Sequence, residues 1–117
     1  GHIGRLTTGT LTNWTWHRIP TADGGPKGIV VQDDGVNVQV WVTAQRADKL
    51  VRFTFRANGE LLATLELAQT AGSRPAGIAV GPDDHIWFAE NGRRIVAELR
   101  PPYFHAVNLP SVYYVGE

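Results

Sequence analysis

The chain has 117 residues, 43% of them hydrophobic and 19% charged, and eleven basic residues balance eleven acidic ones. This length suits one ordinary domain and is short for two well-packed ones, and the composition excludes disorder and collagen-like structure. Zero net charge removes the long-range field that draws a protein to nucleic acid or anionic lipid, and the lack of cysteine excludes disulfides, thiolate nucleophiles and cysteine-based zinc sites.

Apolar residues alternate along the chain instead of recurring at helical spacing, which predicts an all-β fold with antiparallel neighbours. In chain order, strands are predicted over residues 2–6 and 11–19, then 28–31, 38–44, 49–55 and 60–67. Four more follow over residues 77–80, 85–89, 94–99 and 104–109, and one over 112–115. Between them stand Asp33-Asp34-Gly35, Asn58-Gly59, Gly81-Pro82-Asp83-Asp84 and Asn91-Gly92. These segments carry the small, polar and positive-φ residues that turns require. No apolar run approaches the roughly 20 residues of a membrane helix, so no membrane span is expected and the chain reads as soluble. An extracytoplasmic location is as compatible as any other. The sequence has no methionine, so the native start of translation is expected to lie outside it.

The chain also repeats itself. Pro26-Lys27-Gly28-Ile29-Val30-Val31 recurs as Pro75-Ala76-Gly77-Ile78-Ala79-Val80, and Trp41-Val42-Thr43-Ala44 recurs as Trp87-Phe88-Ala89-Glu90. Leu50-Val51-Arg52-Phe53 answers to Ile95-Val96-Ala97-Glu98 and, backwards, to Ile3-Gly4-Arg5-Leu6. Units of about 45 to 50 residues are the size of four-stranded propeller blades. The expected architecture is a partial β-propeller of about two and a half blades. Residues 1–20 form a half blade, 26–68 and 75–110 form blades, and 111–117 begin a further one. Gly28 and Gly77 are expected where innermost strands crowd the axis, with Pro26 and Pro75 fixing the entry to those strands. Trp41 and Trp87 are expected to be largely buried between blades, each with a partner for its indole N–H.

The run from Ser73 to Glu90, with Arg74-Pro75-Ala76-Gly77-Ile78, Gly81-Pro82-Asp83 and Trp87-Phe88-Ala89-Glu90, resembles the repeat of the virginiamycin B (streptogramin) lyase family. Gly1 to Leu6 resembles the third-strand motif of the same family. The resemblance implies a β-propeller. For a catalytic member it implies an elimination that opens an ester-closed ring, with histidine and glutamate residues and a magnesium ion. A catalytic histidine of that pattern can stand between the motif proline and glycine, where this chain has Lys27 and Ala76. On that reading any catalytic residues would lie in blades beyond these.

Read from the residues, His2, His17, His85 and His105 have no spacing that would put two metal ligands on one face, so no metal site is expected. His85 reads as a solvated turn residue. Glu90, at a strand end near the propeller rim, reads as a structural acceptor for backbone N–H groups or, alternatively, as a catalytic carboxylate. The loops expected around one mouth of the axis offer Lys27, Arg46, Arg74, Glu90 and Asn91 as binding residues, against the alternative of a solvated polar rim. Trp14 and Trp16 share a strand face and read as an interface patch.

Three functions fit. They are a propeller scaffold that binds a small molecule or protein, part of a streptogramin lyase-type enzyme, and a structural subunit that closes a ring by self-association. The uncovered blade faces are expected to meet the remaining blades of a longer chain, or identical copies.

Overall fold

The computed structural model describes residues 1–7 and 13–101, and the backbone of 106–108. The strand predicted over 112–115, and with it the further blade at 111–117, lies outside the described residues, as does His105. Among the described residues the chain is all-β. A two-stranded sheet holds β1 (His2–Thr7) and β2 (Asn13–Arg18). A second sheet runs β3 (Pro26–Asp33), β4 (Asn37–Ala44), β5 (Lys49–Arg56) and β6 (Leu61–Ala68). A third runs β7 (Pro75–Val80), β8 (Ile86–Glu90), β9 (Ile95–Leu99) and β10 (Ala106–Asn108). Each sheet is an antiparallel meander in which sequence neighbours pair. A single 3-10 turn, Gln45–Ala47, joins β4 to β5.

The second and third sheets share one register. Val30 faces Trp41, which faces Arg52, and Ala79 faces Trp87, which faces Glu98. This corrects the third-strand correspondence read from the sequence by one residue. Ala44 pairs with Lys49 and Glu90 with Ile95, so Lys49, and not Leu50, answers to Ile95. The distinction matters because a one-residue slip turns every side chain to the opposite face.

The sheets stack face to face along an elongated molecule of 50 × 31 × 23 Å. Ile3 and Ile19 pack on Val42, Ala44, Val51, Phe53 and Phe55 between the first and second sheets. Trp41 and Leu50 pack on Ile86, Phe88, Ala97 and Leu99 between the second and third. The Trp41 indole N–H donates to Gln32 Oε1 at 3.2 Å, and Gln32 Nε2 donates in turn to the Asp84 carbonyl at 3.3 Å. Trp41 therefore meets both expectations, burial and a partner. Trp87 lies on the same strand of its sheet and is buried less completely, because its face of the third sheet has no neighbour among the described residues.

The glycines divide in the same way. A Cβ on Gly28 would stand 2.6 Å from the Ala76 carbonyl, so the close approach of β3 to β7 needs glycine there. A Cβ on Gly77 would meet nothing within 4 Å. The close approach expected at both positions is thus present at one.

At the other end of the arc the first sheet supplies the positions of two outer strands. Trp14 and Trp16 stack at 5.4 Å with their planes 9° apart, and both are more than half exposed on the face turned away from the second sheet. Where two inner strands would complete that sheet there is an apolar cleft of about 250 Å³ between β1 and Ile29, Val31, Val38 and Val40. Ile29 and Val31 are each 58% exposed in consequence.

Candidate functional site

The four loops at one end of the second and third sheets are tied into one platform by backbone hydrogen bonds. Gln45 and Arg46 N–H donate to the Gly25 and Gly24 carbonyls at 3.0 and 2.9 Å, fastening the 3-10 turn to the segment that enters β3. Asp48 follows in the left-handed region at φ 53°, a conformation aspartate tolerates better than most residues. Its carboxylate accepts the N–H groups of Gly72 and Arg74 at 2.9 and 2.8 Å, carrying the tie from the second sheet to the loop that enters the third. That loop is held from its far side as well. Asn91 N–H donates to the Arg74 carbonyl at 3.3 Å, and Gly92 N–H to the Ser73 carbonyl at 2.9 Å.

On this platform Lys27, Arg46 and Arg74 line an open cleft of about 380 Å³ with Gly25, Pro26 and Gln45. Lys27 is on the innermost strand of its sheet, Arg46 in the 3-10 turn, and Arg74 one residue before the innermost strand of the next sheet. Gly25, at φ 63°, leaves room for the Arg46 side chain, whose Nε would stand 2.7 Å from a Cβ placed there. The stem of Arg74 lies against Gly92, and Arg74 itself is left-handed at φ 49°. No acidic residue lines the cleft. Among the described residues none of the three cations takes part in an ion pair, whereas Lys49, Arg56, Arg93 and Arg100 each meet a carboxylate.

The two remaining candidates stand behind the cleft and do not line it. Glu90 closes β8 and is 1% exposed. Its Oε2 accepts from the Arg93 guanidinium at 3.0 Å, which in turn donates to Thr70 Oγ1 at 3.2 Å. Burial pushes the Glu90 carboxyl above its ordinary range, Arg93 pulls it down, and the nearby Asp48 charge adds to the upward push. Its partner is thus an arginine side chain, where backbone N–H groups were expected. Asn91 is exposed and reaches the platform through its backbone.

His85 departs further from expectation. Instead of a solvated turn position it is three-quarters covered, with Nδ1 at 3.2 Å from both Asp83 and Glu98, in hydrogen-bond geometry to neither. The residues that sequence reasoning missed are Asp48 and Arg93. Asp48 could have been found from its place at the end of a predicted β4–β5 turn, where aspartate habitually accepts backbone N–H groups.

The magnesium implied by the family resemblance finds no fit among the described residues. No three His, Asp or Glu side chains converge there, and the open face of the platform carries three cations that would repel it. No helix is long and apolar enough to cross a membrane among the described residues.

No family model matches the chain, and no curated protein matches it. Solved structures do. A streptogramin B lyase structure superposes with a TM-score of 0.73 at 26% identity, over 94% of this chain and 34% of that one. Selenomethionine-substituted virginiamycin B lyase from Staphylococcus aureus gives a TM-score of 0.74 at 23% identity, over 94% of this chain and 35% of the other. A catalytically inactive variant of that enzyme with quinupristin gives the same values. The chain spans about a third of the length of the lyases it matches, and across that third it has their fold.

Proposed function

Taking the fold as that of part of a virginiamycin B lyase-like propeller, we propose that the chain belongs to a β-propeller binding scaffold. Its ligand sits over the axial mouth at Lys27, Arg46 and Arg74, with Glu90 and Asn91 bracing the platform beneath. The observation that carries this reading is the convergence of three cations, from three separate segments, on one cleft without ion-pair partners. Lys49, Arg56, Arg93 and Arg100, by contrast, each stand beside a carboxylate.

The experiment is chemical-shift mapping of the ¹⁵N-labelled chain against a panel of anionic, neutral and cationic small molecules. Saturable shifts confined to residues 24–27, 45–48 and 72–74 support the reading. Shifts scattered over the surface, or none at all, overturn it.

The ring is completed by further blades of a longer polypeptide or, as the second source, by copies of this chain. The exposed Trp14–Trp16 pair at one end and the less completely buried Trp87 at the other support a covering neighbour on each end face. Light scattering at micromolar concentration tests this: a monodisperse, cooperatively folding monomer would show that the arc needs no neighbour.

The alternative reading is a streptogramin lyase-type enzyme. Its support is the fold shared with solved lyases, and against it Lys27 and Ala76 fill the slots where the family resemblance implies a catalytic histidine. On that reading the catalytic residues come from blades beyond this third of the ring. Magnesium-dependent opening of a streptogramin B by this chain alone, abolished by Glu90→Ala or His85→Ala, would favour the enzyme over the scaffold.

A further inference from the structure

Resting on the binding reading above, we infer that the cleft takes a small ligand by a doubly charged oxyanion head, a phosphomonoester or a pair of carboxylates. The argument begins with charge. Three like charges gathered around one cleft repel one another, and the repulsion is relieved only by counter-ions or by an anion in their midst. Two acids of the platform are already committed, and Asp23, in the segment that enters β3, does not line the cleft. Asp48 accepts two backbone N–H groups, and Glu90 is buried against Arg93. In a chain whose total charge is zero, the cleft is therefore a local concentration of positive charge, one that the structure does not neutralise internally.

The kinds of cation add specificity. Arg46 and Arg74 each present a planar fork of donors that matches the oxygens of carboxylate or phosphate, and Lys27 adds a point charge from the innermost strand. Two guanidinium forks and an ammonium suit a doubly charged head better than a single carboxylate. The cleft volume of about 380 Å³ lies within the range of small-molecule sites.

The backbone supplies the second line of evidence. Arg74 holds a left-handed conformation, which costs free energy in a residue with a Cβ. It is kept there by Asp48 on its N–H and by Asn91 on its carbonyl. Arg46 is fastened through its own N–H to Gly24, with its side chain laid across Gly25. Both guanidinium stems are thus pre-positioned, which lowers the ordering cost of gripping a ligand. Gly25, at the equivalent place before Pro26, is left-handed as well at φ 63°, so the conformation belongs to the turn entering each innermost strand, and in the third sheet that turn carries a cation.

Isothermal titration of the chain at low ionic strength tests the inference, with glycerol phosphate and succinate as separate probes and methylammonium and glucose as controls. At least one oxyanion should bind saturably, more weakly as salt is raised. Lys27→Gln and Arg46→Gln should each weaken it about tenfold, as expected for loss of one charge-assisted contact. Arg46→Lys should fall between, keeping the charge and losing the fork. Arg56→Gln, at an ion pair on the far loops, should change affinity less than about twofold. Circular dichroism of each variant separates lost binding from lost folding.

The two probes tell a phosphate site from a dicarboxylate site. Equal weakening by Arg56→Gln, or undiminished binding to the Lys27→Gln/Arg46→Gln double variant, would overturn the inference. If a control ligand maps to the cleft and neither oxyanion binds, the scaffold reading survives and this inference falls. If nothing binds there, both fall.

Discussion

Trp41 and Trp87 occupy the same register position in successive sheets, yet Trp41 is fully buried and Trp87 less completely so. The same contrast separates Gly28, which β7 crowds, from Gly77, which faces open space. Thr43 follows the pattern too. Its hydroxyl accepts Gly28 N–H and donates to the Ala76 carbonyl, both at 2.8 Å, bridging two innermost strands. The corresponding position in the next sheet is Ala89. Local sequence thus sets where a residue stands in its sheet, and the neighbouring sheet sets what that place is worth.

The largest test of this contrast is truncation of the two tryptophans. Trp41→Ala removes the centre of the core between the second and third sheets and the indole N–H that Gln32 Oε1 accepts, and should cost about 3 to 5 kcal/mol by chemical denaturation. Trp87→Ala should cost less than half as much in this chain. Equal losses would mean that Trp87 is covered by something outside the described residues or by a second copy. Gly28→Ala comes next. The added methyl meets the Ala76 carbonyl at 2.6 Å and forces the innermost strands apart, at a cost of about 1 to 3 kcal/mol. Gly77→Ala should be near neutral in this chain and become costly once a further blade stands against β7. The pair therefore reports whether the ring is closed.

Much of this was legible before any coordinates. Alternation gave the strands from Ile3 to Leu99 because the sheets stack face to face and each strand must present apolar residues at period two. The repeated Pro-x-Gly and Trp motifs gave the stacking order, because those residues serve the inter-sheet contact. That Trp87 is buried less completely than Trp41 was not legible, since it depends on a neighbour that the local sequence does not encode. The one-residue slip at Lys49 arose because Leu50 and Ile95 look alike, whereas the alignment is set by the four-residue turns before them. At the site, the loops of Lys27, Arg46 and Arg74 could be named from blade order. Their convergence depended on Asp48 reaching across to the backbone of Gly72 and Arg74, a long-range contact without a motif.

Thr43→Val sharpens the comparison at smaller amplitude. The substitution keeps the shape and removes a hydroxyl that serves two buried backbone groups, leaving Gly28 N–H and the Ala76 carbonyl without that partner. A loss of about 1 to 2 kcal/mol is expected, since an orphaned polar group costs more than a hydrogen bond gains. Thr43→Ser should recover most of it. If valine proves neutral, the two strands are held by packing alone and the hydroxyl bridge is incidental.

The smallest expected effect is at Glu90, whose counterpart at the end of β4 is Ala44, so that one sheet buries a carboxylate where the other buries a methyl group. Burial raises the Glu90 pKa in the folded state above its ordinary value of 4.5, against the pull of Arg93. A carboxyl whose folded pKa is raised binds its proton more tightly folded than unfolded. It therefore favours folding most when protonated, and that contribution is lost as pH rises through the folded pKa. Glu90→Gln removes the titration and keeps the shape. The Tm of the wild type relative to this variant should accordingly improve as pH is lowered from about neutral through the carboxylate range. A gap that instead moves against the wild type on acidification would show that the Arg93 charge pair outweighs burial. The Glu90 carboxylate would then be a stabilising partner of Arg93 and not a cost borne by the platform beneath the cleft.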